Sequence, residues 1–282
     1  MHPEPRRERR YGSQVSSIPP RRLVATDLDG TLLDASGKVT PRTAAAVVAA
    51  RAAGIHVVPV TGRPPQAMWS AVDGAGLGPY AVCSNGAVTI DMEERTVVEE
   101  LNLSAAIATR LVERVRAAIP GAVFATDNLD RFCHETSFFD RPVTWEEEIE
   151  EVPDIKAALE QPCIKLIVRL PGTGALELIA MLEGVVGEEG HTTTSGLDWV
   201  DIGAPGITKA YALERVCARL GVHVDDVVAV GDNHNDLSVL GWAGTAMAPS
   251  NAVAEVLALA DRVLPHHDRE GVAVLLEEMA RG

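Results

Sequence analysis

Asp27 and Asp29 lie two positions apart where the apolar run 23–26 meets Gly30-Thr31, and Asp232 and Asp236 follow a second apolar run, 227–230, after Gly231. A hydrophobic run of this kind suits a strand buried in a parallel sheet, but two carboxylates at its end repel each other unless a cation lies beside them. Ligands of open α/β sheets bind beyond the carboxyl ends of the strands. Two parallel strands can therefore bring both acidic pairs to one crevice. An oxygen-rich set with no paired His/Cys cluster suits a hard cation, Mg²⁺ before Zn²⁺. A carboxylate can also act as a nucleophile. If Asp27 attacks phosphorus, Asp29 can protonate the departing alkoxide and later activate water. Thr61 would then hydrogen-bond a phosphoryl oxygen, and Lys209 would supply fixed positive charge. The competing reading is that each aspartate only caps a helix or turn, accepting exposed backbone N–H groups. One motif alone leaves that reading open, whereas the combination favours chemistry.

The elements that must position these residues alternate. Residues 23–26 read as a strand, and 41–53 as a helix with Thr40 as cap, Pro41 at its first position and Gly54 at its stop. Residues 55–60 read as a strand ending in Thr61-Gly62-Arg63-Pro64, 65–74 as a helix and 80–83 as a short strand. This rhythm predicts a parallel sheet with right-handed crossovers. It changes after Ser84-Asn85-Gly86. Residues 88–90 and 96–99 suggest a hairpin, 104–118 a helix, and 122–126 and 131–134 strands. The acidic stretch 142–159 is expected to be largely helical, broken near Pro153. A strand over 163–170, a helix over 175–182 and a strand over 192–195 follow. From Trp199 the earlier rhythm resumes, with strand 199–202, helix 209–220, strand 227–230 and further helix and strand repeats to 279. The chain is expected to be an α/β protein with an α+β module inserted over 86–194.

Composition narrows the classes of partner. The chain has 282 residues, 46% hydrophobic and 23% charged, with a formal charge of -15. That acidity argues against general nucleic-acid binding, since phosphate backbones need basic surface. No apolar segment reaches the roughly 20 residues that span a bilayer. Residues 1–20 carry Arg6, Arg7, Arg9 and Arg10 with no apolar stretch after them, which reads as a disordered basic tail and not a secretory signal. Cys83, Cys133, Cys163 and Cys217 are widely spaced and read as free thiols of a cytoplasmic protein. No obligate protein partner is inferred.

The order and spacing of the motifs resemble the haloacid dehalogenase-like superfamily, and closely its phosphatase branch of the Cof type, over nearly all of residues 23–279. Asp27-Leu28-Asp29-Gly30-Thr31 matches the nucleophile motif, Thr61-Gly62-Arg63 the second, Lys209 the third, and Gly231-Asp232-Asn233-His234-Asn235-Asp236 the fourth. Ser84-Asn85-Gly86-Ala87 and the late Asp268-Arg269-Glu270-Gly271-Val272-Ala273 are further features of this branch. The resemblance implies a Rossmann-like parallel-sheet core over 21–85 and 195–282 with an α+β cap domain over 86–194. It implies Mg²⁺-dependent hydrolysis of small phosphorylated metabolites, sugar phosphates above all, through an aspartyl phosphate. Asp27 would be nucleophile and metal ligand, Asp29 acid/base and metal ligand through its backbone carbonyl, and Asp232 a metal ligand. Asp236 would orient water at the metal, or Lys209. Gly30, Thr31, Gly62, Arg63 and Asn235 would lie against phosphate or substrate, and Asn85 and Gly86 would approach the phosphate or substrate end or the cap hinge. In Met247-Ala248-Pro249-Ser250-Asn251-Ala252 the branch carries a more glycine-like turn, so this loop's contact with the core stays open.

Cap contacts to the leaving group are sought among Asp127, Asn128, Arg131, His134, Lys165 and Arg169, only some of which an alternating strand can present to a cleft. Trp199 reads as core packing, near His191 at the return crossing. Three other uses of the architecture remain: a sugar phosphomutase, a non-catalytic module that binds phosphorylated metabolites, and a dehalogenase attacking carbon.

Overall fold

The computed structural model describes residues 22–129, 131–139, 149–194 and 197–281. The expected basic tail lies outside them. In chain order the major elements are β1 (Leu23–Thr26), α1 (Pro41–Ala52), β2 (His56–Pro59), α2 (Pro65–Val72), β3 (Tyr80–Cys83), β4 (Val88–Asp91), β5 (Thr96–Glu100) and α3 (Ala105–Ala118). Then come β6 (Val123–Asp127), β7 (Phe132–Glu135), β8 (Ile149–Val152), β9 (Lys165–Arg169), α4 (Ala175–Val186), β10 (His191–Thr193), β11 (Val200–Gly203) and α5 (Lys209–Leu220). The chain closes with β12 (Val227–Val230), α6 (Leu237–Trp242), β13 (Thr245–Pro249), α7 (Ala254–Leu259), β14 (Arg262–Leu264) and α8 (Gly271–Arg281).

Five strands form a parallel sheet in the order β14-β13-β12-β1-β2. Successive side chains on a strand point to opposite faces, and here both faces are covered. Val24, Val57, Val228 and Val230 pack with residues of α1, α2 and α8. Leu23, Ala25, Val58 and Ala229 pack with residues of α5, α6 and α7. Continuous apolar strands are the consequence. Thr26 pairs with Val230, so β1 and β12 end level and release Asp27 and Gly231-Asp232 side by side; the Asp27 N–H donates to the Val230 carbonyl at 2.9 Å. The cap expected for α1 forms, and α5 carries one too. Thr40 Oγ1 accepts from the Thr43 N–H at the start of α1, and Thr208 Oγ1 accepts from the Tyr211 N–H at the start of α5. The second cap sets Lys209 in the first turn of α5.

A second sheet of six strands has the order β10-β11-β9-β6-β7-β8, antiparallel except for β7 with β8. Phe124, Leu166, Val168, Val200 and Ile202 on one face pack under Leu111 and Val115 of α3 and Leu178 and Leu182 of α4. The opposite face carries Asp127, Phe132, Lys165, Ile167 and Asp201, as the registers Asp127↔Phe132, Asp127↔Lys165 and Ile167↔Asp201 require.

Three expectations change. The part of the acidic stretch that lies within the described residues is not a long helix: residues 149–152 form β8, and Ile155–Ala158 is a short 3-10 segment capped by Asp154. An open edge on β7 outweighs local helical preference, and Glu150 and Glu151 of β8 meet Arg131 and Thr136. The strand near Trp199, expected to return to the parallel sheet, is β11, which pairs antiparallel with β9 and β10 in the second sheet. The hairpin β4-β5 pairs with β3, and β3 is tied to the end of β2 by a parallel bridge from Val60 to Val82. Hydrophobic period reports that a strand exists and is silent on which sheet receives it. Among the described residues no helix is long and apolar enough to cross a membrane. The four cysteines are free and buried.

Candidate active site

The tips of β1 and β12 meet around one lysine. Lys209 Nζ donates to Asp27 Oδ1 at 2.7 Å and to Asp236 Oδ1 at 2.6 Å, all three side chains being almost fully enclosed. Burial opposes the charge on Lys209, but Asp236 and Asp27 outweigh it and raise its pKa. The lysine is a fixed cation. Burial pushes the Asp27 carboxyl well above the ordinary range, Lys209 offsetting part of the effect while Asp236 and Asp232 add to it. Burial likewise pushes Asp232 up to about 6, against the lowering effect of a hydrogen bond from Thr31.

Carboxylate oxygens of Asp27, Asp232 and Asp236 lie within 4.8 Å of one another. A divalent cation stabilises crowded, buried carboxylates such as Asp27 and Asp232, whose affinity for protons is raised. The donor set is all oxygen and fits Mg²⁺. Asp27 and Asp232 are the members suited to direct ligation. Asp236 is occupied otherwise: its Oδ1 accepts from Lys209, and its Oδ2 accepts from the N–H groups of Asp232 and Asn233 at 3.0 and 3.1 Å. This carboxylate shapes the loop and holds the lysine. The turn needs glycine, because a Cβ at Gly231 would stand 2.4 Å from Asp236 Cγ.

The loop after β1 is equally constrained. Gly30 has φ +71°, and a Cβ there would lie 2.5 Å from Asp232 Oδ2. Thr31 Oγ1 donates to Asp232 Oδ1 at 2.7 Å, so this expected phosphate contact braces a carboxylate. The Asp29 carboxylate faces Arg63, whose Nε and Nη2 donate to its two oxygens at 2.7 and 2.6 Å. Arg63, also expected to contact phosphate, is thereby the clamp on Asp29. Asn251 settles the open question of its loop: Nδ2 donates to the Gly30 carbonyl at 2.8 Å, and Oδ1 accepts from the His267 N–H.

Two consecutive non-glycine residues, Ser84 (φ 48°) and Asn85 (φ 56°), adopt left-handed backbone, a conformation that costs energy and is retained where surroundings enforce it. The enforcement is visible. The Ser84 N–H donates to the Arg63 carbonyl and the Asn85 N–H to the Thr61 carbonyl. Asn85 Oδ1 in turn accepts from Asn235 Nδ2 at 3.0 Å. Gly62 lies under this pair, its hypothetical Cβ 3.1 Å from Asn85 Oδ1. Gly86 contributes differently from the expected phosphate contact: a Cβ there would lie 2.2 Å from the Thr208 carbonyl oxygen, so its bareness lets the start of α5 come close.

These groups open onto a cavity of about 630 Å³ between the strand tips and the inner face of the six-stranded sheet. At its floor are Asp27, Asp29, Thr61, Gly62 and Asn235; Gln66 and Ser70 of α2 form one side. Phe132, Ile167, Leu197 and Trp199 form an apolar wall beside Asp127 and Lys165.

A family model described as haloacid dehalogenase-like hydrolase matches residues 24–276, nearly the whole described chain. The chain is a haloacid dehalogenase-like hydrolase. Its relatives include the YxeH protein of Bacillus subtilis strain 168, 29% identical over 267 residues and covering 92% of this chain and 98% of that one. The pyridoxal phosphate phosphatase YbhA of Escherichia coli K12 is 28% identical over 261 residues, covering 89% and 96%. In fold it matches the crystal structure of SMU.1108c from Streptococcus mutans UA159, with TM-score 0.82, 20% identity and 93% and 100% coverage.

Of the six cap residues sought in the sequence of this hydrolase, the structure brings Asp127 and Lys165 to the cavity. Arg131 pairs with Glu150, and Arg169 donates to the Phe138 carbonyl and Asp198. His134 Nδ1 meets the Glu135 carbonyl, and Asn128 Oδ1 is buried without a hydrogen-bond partner. Trp199, read as core, does both: its ring lies 5.8 Å from that of Phe138, and it lines the wall. Phe132, Ile167, Leu197, Gln66, Ser70 and Asp201 were missed. The alternation of β7 and β9 marks Phe132 and Ile167 as sharing faces with other candidates; for Asp201 no sequence signal exists.

Proposed function

We propose that the protein is a Mg²⁺-dependent phosphomonoester hydrolase of small phosphorylated metabolites, sugar phosphates in particular, working through phosphorylated Asp27. The observation that carries this reading is Lys209 Nζ held at 2.7 and 2.6 Å by Asp27 and Asp236, directly behind the Asp27 carboxylate that lines the floor of a substrate-sized cavity. Asp27 attacks phosphorus as the bond to the leaving oxygen breaks, and Asp29, protonated and released from Arg63 for this step, gives that oxygen its proton. Asp29 then takes a proton from water as the water oxygen attacks phosphorus, and the bond to Asp27 breaks, restoring the carboxylate. Lys209 keeps its proton throughout and offsets the charge gathered at Asp27. Arg63 keeps Asp29 at the cavity mouth. Thr61 and the amide of Asn235 meet phosphoryl oxygens. Asp27, Asp232 and the Asp29 carbonyl would hold Mg²⁺, which would supply electrostatic screening of the anionic phosphoryl group.

We take the cap to run from about residue 103 to 203, following the sheet pairings, with the core on either side. The leaving group then rests on Phe132, Ile167, Leu197 and Trp199, with Asp127 and Lys165 as polar contacts, an arrangement that suits a ring with one flat apolar face and hydroxyl edges. Such rings include sugars and the pyridine of the E. coli relative's substrate. A cytoplasmic pool of such metabolites is the proposed source. The test is phosphate release over a metabolite panel with Mg²⁺ and with excess chelator. Release that needs Mg²⁺ and yields free phosphate is expected. Full activity in chelator contradicts metal dependence, and an isomerised phosphate ester as product would make the protein a mutase.

A further inference from the structure

Asp201 belongs to none of the motifs above, yet it is 3% exposed and sits on β11, enclosed between Lys165 and Asn85. One of its oxygens, Oδ2, accepts from Lys165 Nζ at 3.0 Å and from Asn85 Nδ2 at 3.2 Å. Asn85 Oδ1 in turn accepts from Asn235 Nδ2 at 3.0 Å. A continuous chain of buried polar contacts therefore runs from the leaving-group wall, through Lys165, Asp201 and Asn85, to Asn235 at the phosphate end. It crosses from the six-stranded sheet to the loops of the parallel one.

We propose that Asp201 is a positioning residue that sets Asn85, and through it Asn235, for phosphoryl transfer. The proposal rests on the phosphatase reading above. Three features support it. Asn85 occupies a left-handed conformation at φ 56° directly after Ser84 at 48°, so its amide is aimed by backbone that surrounding contacts must hold in place. An amide offers both a donor and an acceptor, and here both are committed, one to Asp201 and one to Asn235. Lys165 also lies 3.7 Å from Asp127, so Asp201 shares its cation with a second carboxylate and presents its charge to Asn85. A small displacement of groups at a reacting centre lowers turnover without touching the chemistry directly. Because Lys165 lines the substrate wall, the same carboxylate joins leaving-group contact to phosphate-end geometry.

The experiment is steady-state phosphate release by the full chain with Mg²⁺, using acetyl phosphate and para-nitrophenyl phosphate. Asp201→Asn is expected to lower kcat about tenfold on both probes with KM within about twofold. Asn85→Ala is expected to lower kcat at least as much, and the double variant to be no worse than Asn85→Ala alone, because the two act in series. Losses that multiply in the double variant overturn the proposal. So does Asp201→Asn with a lower Tm and a kcat within about twofold of wild type, the result a purely structural ion pair would give. Should Asp201→Asn fail to fold, Asp201→Glu replaces it in the same cycle, since it keeps a carboxylate beside Lys165 while shifting the acceptor away from Asn85. A wild-type protein inactive on both probes would sink the phosphatase reading itself; an active wild type with an indifferent Asp201 sinks only this inference.

Discussion

Two buried lysines, each flanked by two carboxylates, stand on opposite sides of one cavity, and they differ in how the fold supplies their partners. Lys209 is held at 2.7 and 2.6 Å by residues that follow strand ends, Asp27 and Asp236. Lys165 lies 3.0 and 3.7 Å from Asp201 and Asp127, which sit on neighbouring strands of a sheet face. Parallel strand tips converge and can crowd charges toward a point, where a phosphoryl group and a cation can sit. A sheet face spreads its side chains at strand spacing and makes a wall, here mixed with Phe132, Ile167 and Trp199. The first geometry suits bond making; the second suits recognition.

Exchanging the two lysines for an uncharged residue is the strongest probe of that contrast. Lys209→Met leaves Asp27 and Asp236 buried without their cation, a change that costs about 3–5 kcal/mol for a buried pair. Turnover should fall by ~10³-fold or more and Tm should drop, as read by phosphate release and thermal unfolding. Asp232→Asn comes next. It keeps the hydrogen-bond acceptor for Thr31 but removes a charge, and the half-saturating Mg²⁺ concentration should rise ~10-fold or more in an activity titration. Trp199→Ala removes part of the wall and its packing on Phe138 while leaving the strand tips intact. KM for a ring-bearing substrate should rise by about 5–30-fold, an apolar contact worth roughly 1–2 kcal/mol, with kcat on acetyl phosphate within about twofold. A wall variant that abolished turnover of acetyl phosphate would break the division between tip and face.

The smallest effect is one of pH. Burial raises the Asp232 carboxyl to about 6 from its ordinary 3.8. Without metal the folded state therefore binds a proton there more tightly than the unfolded chain does. That contribution to stability is present below about pH 4 and is lost as pH rises through about 6. Mg²⁺ replaces the proton, so its stabilising shift in Tm should be a few degrees larger at pH 7 than at pH 5. An equal shift at both values would show that Asp232 does not bear on the metal site.

The tips were legible in the sequence because their chemistry is local: an apolar run, a glycine and an aspartate fall within a few residues, and the helix that carries Lys209 begins at that lysine. The wall was only partly legible. Asp127 and Lys165 stand out as charges in apolar strands, but their meeting depends on the register between β6 and β9, strands remote in sequence. Asp201 looks like any polar residue of a half-exposed strand until β11 pairs with β9. The bidentate hold of Arg63 on Asp29 was hidden for a related reason, since it joins two loops that the sequence separates. The acidic stretch read as helix because an open strand edge on β7 leaves no trace in local propensity.

Phosphate release by Asp27→Asn, at saturating Mg²⁺ and equal purity, is the most direct test of the view that Asp27 accepts the phosphoryl group. Asparagine is close to isosteric with aspartate but is far too weak a nucleophile. The account requires turnover to fall by ~10³-fold or more while circular dichroism and Tm report an intact fold. Turnover within a few-fold of wild type would contradict it.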